Sequence, residues 1–322
     1  MCIALISTAH PDYSLIVIDN RDEFLHRPTS KPDWWPEPFS YVLGSRDLAR
    51  STHGTWMGVT KQGKLAVLTN YREDKASLAI GQYSRGVIVN NWLTGPTNER
   101  QTTHSFVQSM VASEEAKQVG GFSLVCGYIN EPLAIVSNRS SDMDQITWVA
   151  AEKKQTKGLS NTTVDDRSWP KILNGEKLMD SAIASHAQAQ EDEDSLIERL
   201  IQVLSVDTLP RLPEGENHSI DNYVQHLRKS IFIPVIGRKD DINRAAKTTA
   251  AAQVTDEANK SPANQPLGLD YSSGPYGTQK QTVLLVTPDG RVRYFERTLW
   301  DSNVNAIPIG KGDRSFEFHI ER

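Results

Sequence analysis

Cysteine is nearly absent from this chain of 322 residues: Cys2 and Cys126 are the whole supply. Two thiols make no disulfide framework, and that usage reads as intracellular. No apolar run approaches the roughly 20 residues of a spanning helix, so no transmembrane segment is expected. The first apolar run, residues 3–6, is short, lacks a basic flank and is soon followed by Asp12, so no signal peptide is expected either. A basic surplus is missing: 35 Lys+Arg against 40 Asp+Glu leaves a net charge of -5, which argues against nucleic acid as a partner. No Cys-x-x-Cys-His pair exists, which excludes covalent haem attachment. No Walker pattern accompanies the Gly-bearing loop at 272–277, so it carries no phosphate-binding signal.

What is present is concentrated at the start. Ile3-Ala4-Leu5-Ile6 and Leu15-Ile16-Val17-Ile18 flank a turn-like cluster with Pro11 and Asp12, the pattern of a β-hairpin. An antiparallel pair sets the start of its first strand beside the end of its second, so Cys2 is expected near Asn20, Arg21 and Asp22. Met1 precedes a small residue, and its removal would put a thiol and a free α-amine on Cys2. With pKa values near 8, the amine can act as a base beside the thiol, the logic of N-terminal-nucleophile catalysis. Arg21 could lower the thiol pKa and Asp22 could hold the amine.

The rest alternates strands and helices. Residues 24–39 hold Pro28, Pro32, Pro36 and Pro38 with Trp34 and Trp35, either a rigid loop packing aromatics on the core or a pocket rim. Strands are expected over 42–70, 122–126, 133–137, 146–149 and toward Asn161. Helices are expected from an N-cap at Ser84, over 103–117, and across most of 169–231. Cys126, mid-strand among apolar residues, reads as a buried inert thiol. The acidic run 191–194 suits a helix start, and His186 and His218 need no special role. Residues 239–266 carry few large apolar side chains and read as a long mobile insertion. A hairpin through Pro288-Asp289-Gly290 and an edge strand near 316–320 close the chain. The pattern gives an α+β fold, taken as a single domain over 1–322.

The opening Met1-Cys2-Ile3 with Asn20-Arg21-Asp22-Glu23 resembles the NRDE family, also called the transport and Golgi organisation protein 2 family. Further matching stretches run in order along nearly the whole chain: Arg27-Pro28-Thr29, Gly54-Thr55-Trp56-Met57-Gly58, Leu68-Thr69-Asn70-Tyr71-Arg72, Ser84-Arg85-Gly86, Gly158-Leu159-Ser160-Asn161 and Tyr276-Gly277-Thr278. The resemblance implies a four-layer αββα sandwich of two mainly antiparallel sheets, similar to the N-terminal-nucleophile hydrolases and especially the cysteine-dependent choloylglycine and penicillin V acylases. It also implies that Asn70 and Asn161 match the strand-end asparagines that bind substrate and form the oxyanion hole. The catalytic set implied is Cys2, Asp22, Asn70, Asn161 and Arg21. In those acylases the arginine lies a few residues before the aspartate. Here Arg21 and Asp22 are adjacent, so in a strand they face opposite sides, and Arg21 is expected to leave the pocket.

Two functions follow from the resemblance. One is a role in Golgi organisation and secretion and in lipid, acyl-coenzyme A or haem homeostasis, through a ligand pocket at Cys2. The other is a cysteine amidohydrolase that cleaves a C–N amide bond through a Cys2 acyl-thioester. The expected partner is a small-molecule amide, acyl or haem-like ligand. No cofactor is required, and non-covalent haem or acyl-coenzyme A is the candidate ligand. The expected location is cytoplasmic, with Golgi or mitochondrial association.

Overall fold

The computed structural model describes residues 2–71, 84–96, 101–211, 220–242, 271 and 273–321. The chain opens with the expected hairpin, Ile3–Ser7 (β1) and Leu15–Phe24 (β2). Five strands and three helices follow: Asp33–Trp34 (β3), Val42–Gly44 (β4), Met57–Thr60 (β5), Lys64–Asn70 (β6), Gly86–Leu93 (α1), Thr103–Ala112 (α2), the one-turn helix Glu114–Lys117 and Phe122–Tyr128 (β7). Leu133–Ser137 (β8), Thr147–Val149 (β9) and Thr156–Ser160 (β10) precede the long helices Pro170–Ala189 (α3) and Glu193–Leu204 (α4). Tyr276–Val286 (β11), Arg291–Thr298 (β12) and Asp313–His319 (β13) complete the described strands.

The strands form two sheets, ordered β10-β1-β2-β11-β12-β13 and β3-β4-β5-β6-β7-β8-β9, with antiparallel pairing throughout. Period-two alternation explains the layers. In the first sheet Ala4, Ile6, Leu15 and Val17 point toward Leu65, Val67 and Val125 of the second, and this contact is the central core. Their neighbours Ile3, Leu5, Ile16 and Ile18 point the other way, onto Met179, Ile183, Leu196 and Leu200 of α3 and α4. In the second sheet Ala66, Leu68 and Leu124 turn outward onto Val89, Trp92, Phe106 and Val107 of α1 and α2. The order is therefore helix, sheet, sheet, helix, the four-layer sandwich expected. Both faces of each sheet are buried, which explains why β1 and β6 read as continuous apolar runs rather than clean alternation.

Several local expectations need correction. The helix at 86 is capped by Arg85, not Ser84, and no side chain caps it. The stretch 103–117 is two helices, because Ser113 is extended (φ -80°, ψ 120°) and breaks the run. Between α4 and the short helix at 220–223 the described chain from 206 to 211 is not helical, so 169–231 is not one helical block. Trp35 is buried and Trp34 packs edge-on against Phe318, so these aromatics serve the core and not a pocket rim. Cys126 is fully buried among apolar side chains. The β11–β12 hairpin turns through Gly290, as expected, and its positive φ (90°) suits the tight turn. Most of the expected insertion, residues 243–266, lies outside the described residues. Among the described residues no helix is long and apolar enough to cross a membrane.

Candidate functional site

The site grows from the register of the first hairpin. Ile3 pairs with Asn20, so the residue before it meets the strand at Arg21 and Asp22. The Asp22 N–H donates to the Cys2 sulfur at 3.4 Å, and the thiol lies 3.8 Å from the Asp22 carbonyl oxygen. On the other side of β2 the pairing with β11 slips: Arg21 faces Lys280, Asp22 faces Thr278, and Gln279 is the extra residue. Such bulges re-aim side chains at the edge of a site. Here the Gln279 side-chain oxygen accepts from the Arg21 guanidinium, while its amide donates to the carbonyls of Leu25 (3.3 Å) and Arg27 (3.0 Å).

Arg21 and Asp22 do project to opposite faces, and both line the cavity. Its guanidinium lies 4.5 Å from the Trp56 ring centroid and 3.1 Å from Asp47 Oδ2. The expectation that it leaves the pocket is overturned because the inner face of β2, which it shares with Val17, is the cavity side. The buried Asp22 carboxylate accepts from the Thr278 hydroxyl at 2.7 Å.

Cys2 opens onto a cavity of about 180 Å³ between the ends of the two sheets. Arginine dominates its wall: Arg21, Arg27, Arg50 and Arg85, against the carboxylates of Asp22, Glu23 and Asp47. Arg27 binds Asp47 at 2.6 Å, so that one carboxylate serves two guanidinium groups. Arg50 and Arg85 hold no carboxylate among the described residues; Arg85 donates to the Gly121 carbonyl at 3.3 Å. The far wall is tight: a Cβ on Gly54 would sit 2.8 Å from the Gly86 Cα, so only glycine lets this loop meet the start of α1.

Burial sets the electrostatics. It pushes the Cys2 thiol up to about 11, and Asp22 and Asp19 add to the rise. It also raises the Asp22 carboxyl. Asp19 is raised well above the ordinary range by burial and by the negative charges of Asp22 and Glu296, and neither carboxylate oxygen has a hydrogen-bond partner among the described residues. Burial would raise Asp47 too, but Arg21 and Arg27 outweigh it and hold its carboxyl below the usual range.

The two asparagines come together without forming a matched pair. Asn70 ends β6 and lines the cavity. Asn161 follows β10, is buried, and donates its amide to the Asn70 carbonyl at 2.5 Å. The structure thus gathers Cys2, Arg21, Asp22 and Asn70 at the cavity and sets Asn161 behind it. Sequence reasoning missed Asp47, Arg50, Trp56 and Asp19, whose signals are spread over separate strands. It also missed Lys171, which did leave a signal: a lysine in the first turn of a helix opposes the helix dipole. No group of His, Cys, Asp and Glu among the described residues is arranged to hold a metal ion.

Two stacked antiparallel sheets between helix layers, with Cys2 leading the first strand into a cavity, define a four-layer αββα protein. The chain belongs to the Transport and Golgi organisation 2 family, whose model matches residues 1–301. It is similar to the Transport and Golgi organization protein 2 homolog of Homo sapiens, 27% identical over 96% of this chain and 94% of that protein. The homolog of Bos taurus is 26% identical over 90% of this chain and 88% of its own length. Among solved structures, a mutant conjugated bile acid hydrolase from Clostridium perfringens aligns over 99% of this chain and 97% of that one, at a TM-score of 0.36 and 10% identity.

Proposed function

We propose that this protein is a ligand-binding member of its family whose Cys2 cavity takes a small acyl or amide group attached to an anion. The observation that carries it is the excess of arginine around the cavity: four guanidinium groups, of which Arg50 and Arg85 hold no carboxylate among the described residues. Half-buried guanidinium groups that are not paired with a carboxylate favour a ligand that brings carboxylate or phosphate. Acyl-coenzyme A and haem both carry such groups. A volume of about 180 Å³ falls below the roughly 300–1,000 Å³ of drug-sized pockets, so it fits an acyl end rather than a whole ligand. The names of the human and bovine relatives support a role for this ligand site in transport and Golgi organisation, and the reading places the protein in the cytoplasm in association with Golgi or mitochondria. The test is calorimetric titration of the purified chain with a short acyl-coenzyme A, with haem, and with an uncharged acyl amide. Saturable binding of an anionic ligand and none of the neutral one is expected; indifference to the anion overturns the reading.

A second reading rests on the approach of Cys2 to the cavity. Once Met1 is removed, the Cys2 sulfur would attack an amide carbonyl and pass its proton to the Cys2 α-amine. Asn70 and Asn161 would stabilise the oxyanion, Asp22 would orient the amine, and Arg21 would supply positive potential. The C–N bond breaks as the leaving amine takes that proton, and water then cleaves the thioester to free acid and thiol. Two features weigh against it relative to binding: the thiol is pushed up to about 11, and the Asn161 amide is engaged by the Asn70 carbonyl. Intact-mass analysis after exposure to an electrophilic amide or lactone decides it. A processed Cys2 with an acyl adduct supports hydrolysis; retained Met1 and no adduct leave binding alone.

A further inference from the structure

Lys171 is completely buried, yet it sits in the first turn of α3 directly after Pro170. Both facts are unfavourable. A buried ammonium loses its hydration, and a positive charge near a helix N-terminus meets the positive end of the dipole. Its ammonium donates to the Cys2 carbonyl oxygen at 3.2 Å, and the Ser160 hydroxyl donates to the same oxygen at 2.6 Å. Burial lowers the Lys171 pKa, while Asp22, Cys2 and Asp19 all favour its charged form. The backbone of residue 2 is thereby clamped from α3 and from the end of β10, with its sulfur left toward the cavity.

We infer that Lys171 is a positioning residue for Cys2: its ammonium fixes the Cys2 carbonyl and sets a positive charge against Asp19 and Asp22 beside the thiol. The inference rests on the reading of Cys2 as the centre of the cavity, but requires neither a ligand nor turnover. The charged groups around the thiol are the α-amino group, which lowers its pKa, Asp19, Arg21 and Asp22 on β2, Lys171 on α3, and Arg85 before α1. Removing Lys171 takes one positive charge from this set and leaves both acids.

The experiment is the pH dependence of Cys2 alkylation by iodoacetamide in the full chain, read by peptide mass spectrometry, which also reports whether Met1 is present. Cys126, fully buried, is the internal reporter of folding, since it reacts only when the chain opens. Lys171→Met is expected to raise the alkylation midpoint by about one pH unit, so that the rate below the midpoint falls about tenfold. Lys171→Arg, which keeps the charge, is expected to restore most of the loss. Lys171→Gln keeps a donor for the Cys2 carbonyl without the charge and is expected to shift the midpoint as Lys171→Met does, even if the methionine variant unfolds. An unchanged midpoint in either neutral variant with Cys126 protected overturns the inference. So does reaction of Cys126 in both neutral variants, which would assign Lys171 to folding alone. Failure of ligand binding in the wild-type chain, with these shifts intact, would sink the proposed function and leave this role standing.

Discussion

The layer between the two sheets has two unlike ends built on the same strands. At one end Leu15, Val17, Leu284 and Val286 meet Leu65, Val67 and Val125, all nearly inaccessible and all apolar. At the other end Cys2 just before β1, Asp19 and Arg21 on β2, Lys280 on β11 and Glu296 on β12 are also buried, and all are charged or ionisable. β2 makes the change within itself, from Leu15–Ile18 to Asp19–Asp22. The apolar end holds the sheets together through non-directional burial and tolerates adjustment. The polar end is directional, and each group depends on a particular partner. Stability is drawn from the first and chemistry from the second.

The sharpest way to break this comparison is at the Lys280–Glu296 pair. Lys280 Nζ lies 2.7 Å from Glu296 Oε1, with the two side chains 1% and 0% exposed. Glu296 also accepts from the Ser45 hydroxyl at 2.6 Å and the Tyr294 hydroxyl at 2.9 Å. Glu296→Ala strands a buried ammonium and two hydroxyls, and is expected to cost about 3–5 kcal/mol in denaturant unfolding. The double replacement Lys280→Met with Glu296→Leu is expected to recover most of that loss. If Glu296→Ala costs no more than an exposed pair, the polar end is not the constrained region described here.

Asp19 gives the next largest effect, with opposite sign. Its folded-state carboxyl is raised by burial and by Asp22 and Glu296. Between the unfolded value near 4 and the folded value, the native state holds the extra proton, so stability falls as pH rises through that window. Asp19→Asn keeps the shape and removes the titration. It is expected to stabilise the chain at pH 7 by about 1–3 kcal/mol, with no gain below about pH 4. Unfolding midpoints across pH read this directly. The wild-type slope should shrink but persist in the variant, because Asp22 is also raised and contributes in the same direction.

Much of this arrangement was legible before any coordinates. The period of apolar runs gave the strands, and the β1–β2 hairpin placed Cys2 beside Asp22 from pairing geometry alone. The αββα order followed from the resemblance rather than from pattern, since apolar runs cannot say which sheet a strand joins. What stayed hidden depends on contacts distant in sequence. Asp47 reaches Arg21 across two sheets, and Lys171 reaches Cys2 across 169 positions. The bulge at Gln279 had no signature, because a one-residue slip in register leaves composition untouched. The direction of Arg21 was misjudged for a related reason: adjacency fixes opposite faces, but not which face borders the cavity.

A milder probe tests the apolar end. Ile6→Val removes one methylene from a side chain 2% exposed between the sheets, and is expected to cost about 0.5–1.5 kcal/mol without altering Cys2 alkylation. A change in Cys2 reactivity from this substitution would show that the two ends are mechanically coupled rather than separable.

The smallest expected stability effect is at Arg50, and it bears most directly on function. Arg21 and Arg27 are tied to Asp47, whereas Arg50 lines the same cavity with no hydrogen-bond partner among the described residues. Burial and the neighbouring Arg27 charge lower its pKa, with Asp47 opposing them, so its charge contributes little that folding can use. Arg50→Gln is therefore expected to change unfolding free energy by no more than about 0.5 kcal/mol, or to raise it slightly. An anionic ligand would be the missing partner, and one charge-assisted hydrogen bond is worth about 1.5–3 kcal/mol, so affinity for a short acyl-coenzyme A should fall at least about tenfold. Because folding and binding respond separately here, a calorimetric titration beside a denaturant curve distinguishes the two roles. A variant that binds as tightly as wild type places the anion elsewhere in the cavity, whereas one that unfolds easily makes Arg50 a structural cation like Arg21.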